Sequence, residues 1–240
     1  LGLEAEQVMV PADYLMMPEI QTLPAIVVVR LPNGLTHFVV AWRIYGHFVQ
    51  VMDPATGRRW MTRKRFLSEL FIHKHPVPAE DWRAWAASDG FCDPLRHRLS
   101  DLDISEQNAN QLIDASLEAA GWQPLAVLDA TIRMVEAIVR GGGLNPGKEA
   151  ETVIERFFKQ AGEYPPGQDH IIPPAYWSVE AMPDTEPSEE EFVFLKGAVL
   201  IRVLGLRSED EAEEAADEDD EIIEPLSPEL AAALEEPPGN

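Results

Sequence analysis

Cysteine is nearly absent from this sequence, because Cys92 is the one cysteine among 240 residues. An internal disulfide is therefore excluded, and the composition fits a reducing compartment. Basic residues are also scarce, with 19 Lys and Arg against 42 Asp and Glu and a net charge of −23. Nucleic-acid binding requires clustered Lys and Arg, so we expect no nucleic-acid partner.

Long uncharged apolar runs are missing as well. The nearest stretch, Phe192–Leu206, contains Lys196 and Arg202, whereas a membrane helix needs about 20 predominantly apolar residues. No signal-peptide pattern is present. We expect the chain as given to be soluble, and it is long enough to bury one or two hydrophobic cores.

Two polar residues, His37 and Asp53, interrupt an otherwise apolar, strand-like stretch between Ala25 and Gly57. The segments Leu35–Trp42 and His47–Met52 are predicted to form an antiparallel hairpin with a turn near Arg43–Gly46. Centring this turn on Tyr45 places His37 directly opposite Asp53, within reach of a hydrogen bond. Such a pair suits a general base and the carboxylate that orients it, or else it is a buried structural pair.

These residues also carry a resemblance to a known family. Thr36-His37-Phe38-Val39-Val40, Asp53-Pro54-Ala55-Thr56-Gly57 and the helix-like Phe66–Leu70 resemble the papain-like cysteine peptidase domain of bacterial ABC exporters, which removes double-glycine leaders from bacteriocin-type peptides. The resemblance covers about the first 75 residues. It implies that His37 is the catalytic base and that Asp53 orients it. We also expect no cofactor and no metal site.

The sequence departs from that family at the nucleophile. In the family, a Cys preceded by an oxyanion-hole Gln comes before the His, but none of the 36 residues before His37 is Cys. We therefore expect this chain to be part of a longer polypeptide and to be inactive alone. Cys92 is interpreted as structural, because Asp89 and Asp93 flank it, which raises a thiol pKa, and no helix N-terminus is evident there.

The remainder of the chain is predicted to be helical and then acidic. Apolar stripes with caps and glycine stops predict helices at Ser105–Ala120, Pro124–Arg140 and Lys148–Ala161, which should pack as a small helical unit. Residues 208–224 contain eleven acidic and no basic residues, which favours disorder. The predicted fold class is α+β: an incomplete papain-like antiparallel sheet with a flanking helix (1–77), a helical region (78–163), a Pro-rich linker with a β segment (164–207) and an acidic disordered tail ending in a short helix (208–240).

The segments on either side of the hairpin give further expectations. Residues 4–17 mix helix and loop signals, and residues 53–57 are predicted to form a turn. Trp60 then leads into a helix that Thr62 could cap, and Pro76 and Pro78 indicate a loop.

A basic cluster follows the hairpin. It consists of Arg58, Arg59, Arg63, Lys64 and Arg65. This cluster is either a docking surface for an acidic partner or a solvated helix face.

The resemblance implies a function for a longer parent protein. This chain would be the His–Asp part of a leader-processing cysteine peptidase at the cytoplasmic face of the bacterial inner membrane. Its partners would be a leader-bearing peptide substrate and the transmembrane and ATPase parts of an ABC exporter. Two alternatives stay open: a catalytically inactive peptidase-like domain that docks substrate peptide at a transporter, and an acidic scaffold whose His–Asp pair is merely structural.

Overall fold

The structure is a computed structural model that describes residues 3–17, 22–161, 171–182 and 191–206. These residues form strands and α-helices, so the predicted α+β class is confirmed. By compactness the chain divides into two units, one of residues 7–202 and one of residues 1–6 with 203–240. The described parts of the second unit are the outer ends of two strands, residues 3–6 and 203–206.

The strands of the described residues belong to one connected sheet with the order β1-β8-β2-β3-β4-β5, and β6 and β7 pair with β8. Strand β3 pairs in antiparallel fashion with β2 and β4, β5 with β4, and β8 with β2, β6 and β7. The strands are β1 (Leu3–Val10), β2 (Ala25–Arg30), β3 (Thr36–Tyr45), β4 (Phe48–Asp53), β5 (Gly57–Thr62), β6 (His73–Pro78), β7 (Val179–Ala181) and β8 (Phe192–Leu206).

The long strand β8 connects the parts of this sheet. Its first half pairs with β6 and β7, and its second half pairs with β2 through Ile201 and Leu200. Where β8 passes β1, a Cβ on Gly197 would lie only 2.3 Å from the carbonyl oxygen of Val10. Only glycine permits this approach of two backbones.

The helices are α1 (Arg63–Glu69), α2 (Ala79–Ala86), α3 (Asp89–Asp101), α4 (Glu106–Glu118), α5 (Gln123–Arg140) and α6 (Lys148–Ala161). In sequence, α1 lies between β5 and β6, and the helices α2–α6 lie between β6 and β7. The predicted helices at 105–120, 124–140 and 148–161 are confirmed to within two residues, and Ser105 caps the first of them by accepting from the Asn108 amide. Short 3₁₀ helices occur at Ala12–Met16 and Pro174–Tyr176.

Two larger hydrophobic clusters hold the unit together. One lies between the inner face of the sheet, α1 and the first 3₁₀ helix, and its members include Leu15, Val39, Val51 and Phe66. The other joins the helices α2–α6 with Tyr14, β7 and the start of β8. A smaller cluster packs α5 against Ile172. The helices therefore bury their stripes against each other, as the sequence predicts, and also against the sheet strands.

Several elements differ from the sequence-based expectation. The segment 4–17, predicted as mixed helix and loop, forms β1 and a 3₁₀ helix, and the segment after Gly57, predicted to lead straight into a helix, first forms β5. The predicted loop around Pro76 is strand β6, because its backbone pairs with β8. The predicted linker at 164–170 and the predicted acidic tail at 208–240 lie outside the described residues, and the four-region division stays a prediction.

Candidate functional site

His37 and Asp53 meet at one end of the sheet. The Nε2 atom of His37, on β3, donates to the Oδ1 atom of Asp53, at the end of β4, over 2.9 Å. The imidazole is 24% exposed and the carboxylate 5% exposed. The predicted hydrogen bond is therefore present, with a partly accessible imidazole in front of a buried carboxylate.

The register that produces this contact differs from the predicted one. The turn lies at Gly46-His47 rather than Arg43–Gly46. In this register Val40 pairs with Met52, the residue before Asp53, so His37 is not directly opposite Asp53. His37 and Asp53 are diagonal neighbours instead of direct partners. The shift equals an even number of residues, so it keeps both side chains on the same face of the sheet, and a diagonal pair is still within reach of an imidazole.

A β-bulge makes this shared face possible. Pairing runs regularly from the turn to Arg43 and Gln50, and then moves by one position, so that Ala41 pairs with Val51. Trp42 is the extra residue between them. Because side chains alternate between faces, an unbroken ladder from the same turn would put His37 and Asp53 on opposite faces. The extra residue of the bulge returns His37 to the same face as Asp53. Bulges that re-aim a side chain in this way are common next to active sites.

The hydrogen bond fixes the protonation pattern of the neutral imidazole. An ionised carboxylate only accepts hydrogen bonds, so the proton of His37 lies on Nε2. The lone pair is then on Nδ1, the atom that points away from Asp53 and can accept a proton from another group. This is the arrangement of a general base held in one tautomer by a carboxylate.

Asp53 is held ionised by its surroundings. The hydrogen bond from His37 and then the backbone amide of Ala55, at 2.8 Å, hold the pKa of the Asp53 carboxyl well below its usual range, with the Thr56 amide adding to them against the effect of burial. These amides belong to the turn that the sequence predicted after β4. Gly57 closes this turn with a φ of 82° and begins β5.

Arg59 is a further member of the site that the sequence reasoning did not single out. Its Nη2 atom lies 3.6 Å from Asp53 Oδ2 and 3.7 Å from Glu69 Oε2. The sequence placed Arg59 in a basic cluster that was interpreted either as a docking surface for an acidic partner or as a solvated helix face. The sequence reasoning did not predict strand β5. The pairing of β5 with β4 is what places Arg59 beside the end of β4.

Cys92 does not belong to this site. It lies in the first turns of α3, a helix that the sequence reasoning missed, and its side chain is buried in the helical cluster. Its thiol contacts the Ala86 carbonyl oxygen. Burial, first of all, raises the pKa of the Cys92 thiol, and Asp89 and Asp93 add to this. The thiol is thus structural, as the flanking acids predicted, although the expected absence of a helix there is wrong.

Residues 1–71 match the model of the Peptidase C39 family. The matched segment contains β1 to β5 and α1, and therefore both His37 and Asp53. The match supports a papain-like peptidase domain of the C39 type in this part of the chain, and with it a cysteine-peptidase type of hydrolytic chemistry. The helices α2–α6 lie beyond the C39 match.

No curated protein and no solved structure matches the chain at a significant level. Among the described residues, no helix is both long and apolar enough to cross a membrane.

Proposed function

We propose that the C39-like part of this chain supplies the base and its orienting carboxylate to the active site of a leader-processing cysteine peptidase. The observation that carries the proposal is the 2.9 Å hydrogen bond from His37 Nε2 to Asp53 inside the matched segment. His37 Nδ1 takes the proton of a thiol nucleophile, and the same imidazole later protonates the leaving amine. Asp53 holds the tautomer and stabilises the imidazolium.

The thiol itself must come from outside these 240 residues. Cys92, the one cysteine of the sequence, is buried in the helical cluster with a raised pKa, and a thiolate rather than a thiol is the nucleophile. The proposed setting is an ABC-type peptide exporter at the cytoplasmic face of a bacterial inner membrane. The proposed substrate is a peptide with a double-glycine leader.

The test is cleavage of a synthetic double-glycine leader peptide by the protein expressed from the complete reading frame that encodes this chain. We expect iodoacetamide-sensitive cleavage after the glycine pair. His37→Ala should lower kcat/KM by about 10²- to 10⁴-fold, the usual contribution of a positioned general base. His75→Ala is the matched control, because His75 is exposed on β6. Undiminished cleavage by His37→Ala would refute the assignment.

A second candidate function is a peptidase-like domain that binds leader peptide without cutting it. The position of Cys92, away from the His37–Asp53 pair, favours this for the chain on its own. In that case the complete protein should bind the leader peptide without cleaving it, and His37→Ala should leave the affinity unchanged. The variant Cys92→Ser distinguishes Cys92 from the proposed nucleophilic thiol, because any cleavage activity should remain intact without the Cys92 thiol.

A further inference from the structure

The outer face of β2–β5 is apolar although it is exposed. His37 and Asp53 lie on the inner face, with the buried residues Val39 and Val51. Phe38 is 57% exposed, Trp60 47% and Met52 39%. By the observed registers, the outward apolar side chains of the four strands are Ile26, Val28, Phe38, Val40, Tyr45, Phe48, Met52 and Trp60, with the bulged Trp42 beside them.

A groove runs along this outer face. Its volume is about 430 Å³, and Ile26, Phe38, Val40 and Met52 line it. At one end it reaches the β4–β5 turn at Asp53, Pro54 and Gly57. A solvated face of an antiparallel sheet is normally polar, and an exposed apolar patch of this extent indicates an interaction surface.

The charges on the outer face are of one sign. The outward charged residues of the four strands are Arg30, Arg43 and Arg58, and no Asp or Glu is among them, in a chain with more than twice as many acidic as basic residues. The Arg30 guanidinium lies over the Phe71 ring, and Arg43 donates to Gln50 beside Trp60. Aromatic and Arg side chains together are typical of the central part of protein interfaces.

We propose that the outer face of β2–β5 docks an acidic amphipathic helix of a partner protein. Four strands spaced about 4.8 Å apart make a face some 15 Å wide, which accommodates one helix of about 10–12 Å diameter. The leucine-like side chains of such a helix would fill the groove, and its carboxylates would pair with Arg43 and Arg58. A second copy of this chain fits worse, because a two-fold interface would set the same three arginines against each other.

Docking at this outer face is a function separate from the proposed peptidase activity. The outward side chains of β2–β5 lie on the face opposite to the side chains of His37 and Asp53, although one end of the groove reaches Asp53 at the β4–β5 turn. Helix docking requires no thiol. A binding experiment on the 240-residue chain therefore succeeds or fails independently of any cleavage assay.

The experiment measures binding of two synthetic 18-residue helical peptides by isothermal titration calorimetry. The first contains leucines on one face and glutamates on the other, and the second has lysines in place of the glutamates. We expect the Leu–Glu peptide to bind, with an affinity that falls as salt is added. Phe38→Ser and Arg58→Glu should each weaken it about tenfold or more. The matched controls Ile72→Ser and Arg156→Glu, at exposed positions outside this face, should leave it unchanged.

Several outcomes would overturn the proposal. They are no binding of the Leu–Glu peptide, equal binding of both peptides, or a Phe38→Ser variant that binds like the wild type. Dimerisation of the wild type that Phe38→Ser abolishes would assign the face to a second copy instead. Adsorption to anionic lipid vesicles that depends on Phe38 and Arg58, without peptide binding, would assign it to a membrane surface.

Discussion

At the scale of single residues, the hydrogen bond between His37 and Asp53 was predictable, and the contact of Arg59 with Asp53 was not. The polar pair stands out because it interrupts apolar strands, and Asp53-Pro54 is a strong turn signal. Arg59 lies in a run of basic residues, where no single member differs from its neighbours. Its proximity to Asp53 depends on the pairing of β4 with β5, which local sequence pattern does not encode.

The low pKa of Asp53 predicts a specific pH dependence of stability. Because the folded-state pKa lies below the unfolded value of about 3.9, the unfolded chain binds more protons in acid. The ionised carboxylate therefore contributes its full stabilisation above about pH 4, and this contribution is lost as the pH falls from there towards the folded pKa.

Urea unfolding of Asp53→Asn and wild type between pH 7 and pH 2 checks this prediction. The wild type should be more stable at pH 7, and the difference in unfolding free energy should shrink below about pH 4. Asp93→Asn is the control, because the Asp93 side chain is largely exposed and pairs with Arg96 on the same helix. A difference that stays constant down to pH 2 would show that the hydrogen bonds to Asp53 do not favour its ionised form.

At the scale of elements, the long helices were predictable and the register was not. Helices α4, α5 and α6 have clear apolar stripes and caps or glycine stops, which are strong local signals. The helix α3 was missed because Gly90 and Pro94 interrupt its pattern. The hairpin register depends on the position of the turn and on a bulge. Because β3 has apolar residues on both faces, the alternation of its side chains indicates neither the turn position nor the bulge.

The bulge at Trp42 leads to a prediction for two matched deletions. Deleting Trp42 regularises the ladder and leaves Ala41 opposite Val51, so the His37–Asp53 hydrogen bond should survive. Deleting Val40 moves the segment before it by one residue, so His37 should turn to the outer face. Both deletions remove one residue from the same strand.

The carboxyl carbon resonance of Asp53, followed by NMR during a pH titration, distinguishes the two deletions. In the Trp42 deletion the pKa of Asp53 should stay well below its usual range, because His37 still donates to it. In the Val40 deletion it should rise towards the ordinary value, since the strongest of its hydrogen bonds is gone. The idea fails if both variants give the same titration curve.

At the scale of the whole compact unit, a buried ionic network joins the C39-like segment to the helices. Asp13, in the first 3₁₀ helix, accepts from Arg98 on α3 and, over 2.6 Å, from Arg133 on α5. Arg133 also pairs with the fully buried Asp129, which accepts from Ser178. Arg98 is 2% exposed, and burial lowers its pKa to about 10. Nothing in the local sequence around Asp13 predicts these long-range partners.

Asp13→Ala should therefore destabilise the sheet and the helices together. Removing Asp13 leaves the buried Arg98 with only the more distant Glu136, at 3.6 Å, and leaves Arg133 with Asp129 alone. Because Asp13 is itself partly exposed, we expect a cost below the roughly 3 kcal/mol of a fully buried ion pair that loses one partner, and above that of an exposed pair. Asp93→Ala, which breaks the exposed pair with Arg96, should cost less than about 1 kcal/mol. Denaturant unfolding followed by Trp fluorescence and by far-UV circular dichroism measures both. Two separate transitions in Asp13→Ala, with the helices unaffected, would contradict this coupling.

The position of β8 has a consequence for biosynthesis. This strand, formed by residues 192–206, lies in the sheet between β1 and β2, which are among the first to be translated. Until the ribosome has released it, one edge of β2 lacks its partner at Ile26 and Val27. A nascent chain must therefore keep an apolar strand edge from pairing with other chains while the 161 residues between β2 and β8, residues 31–191, emerge. We expect the chain to depend on chaperones while it is being synthesised and not after it has folded.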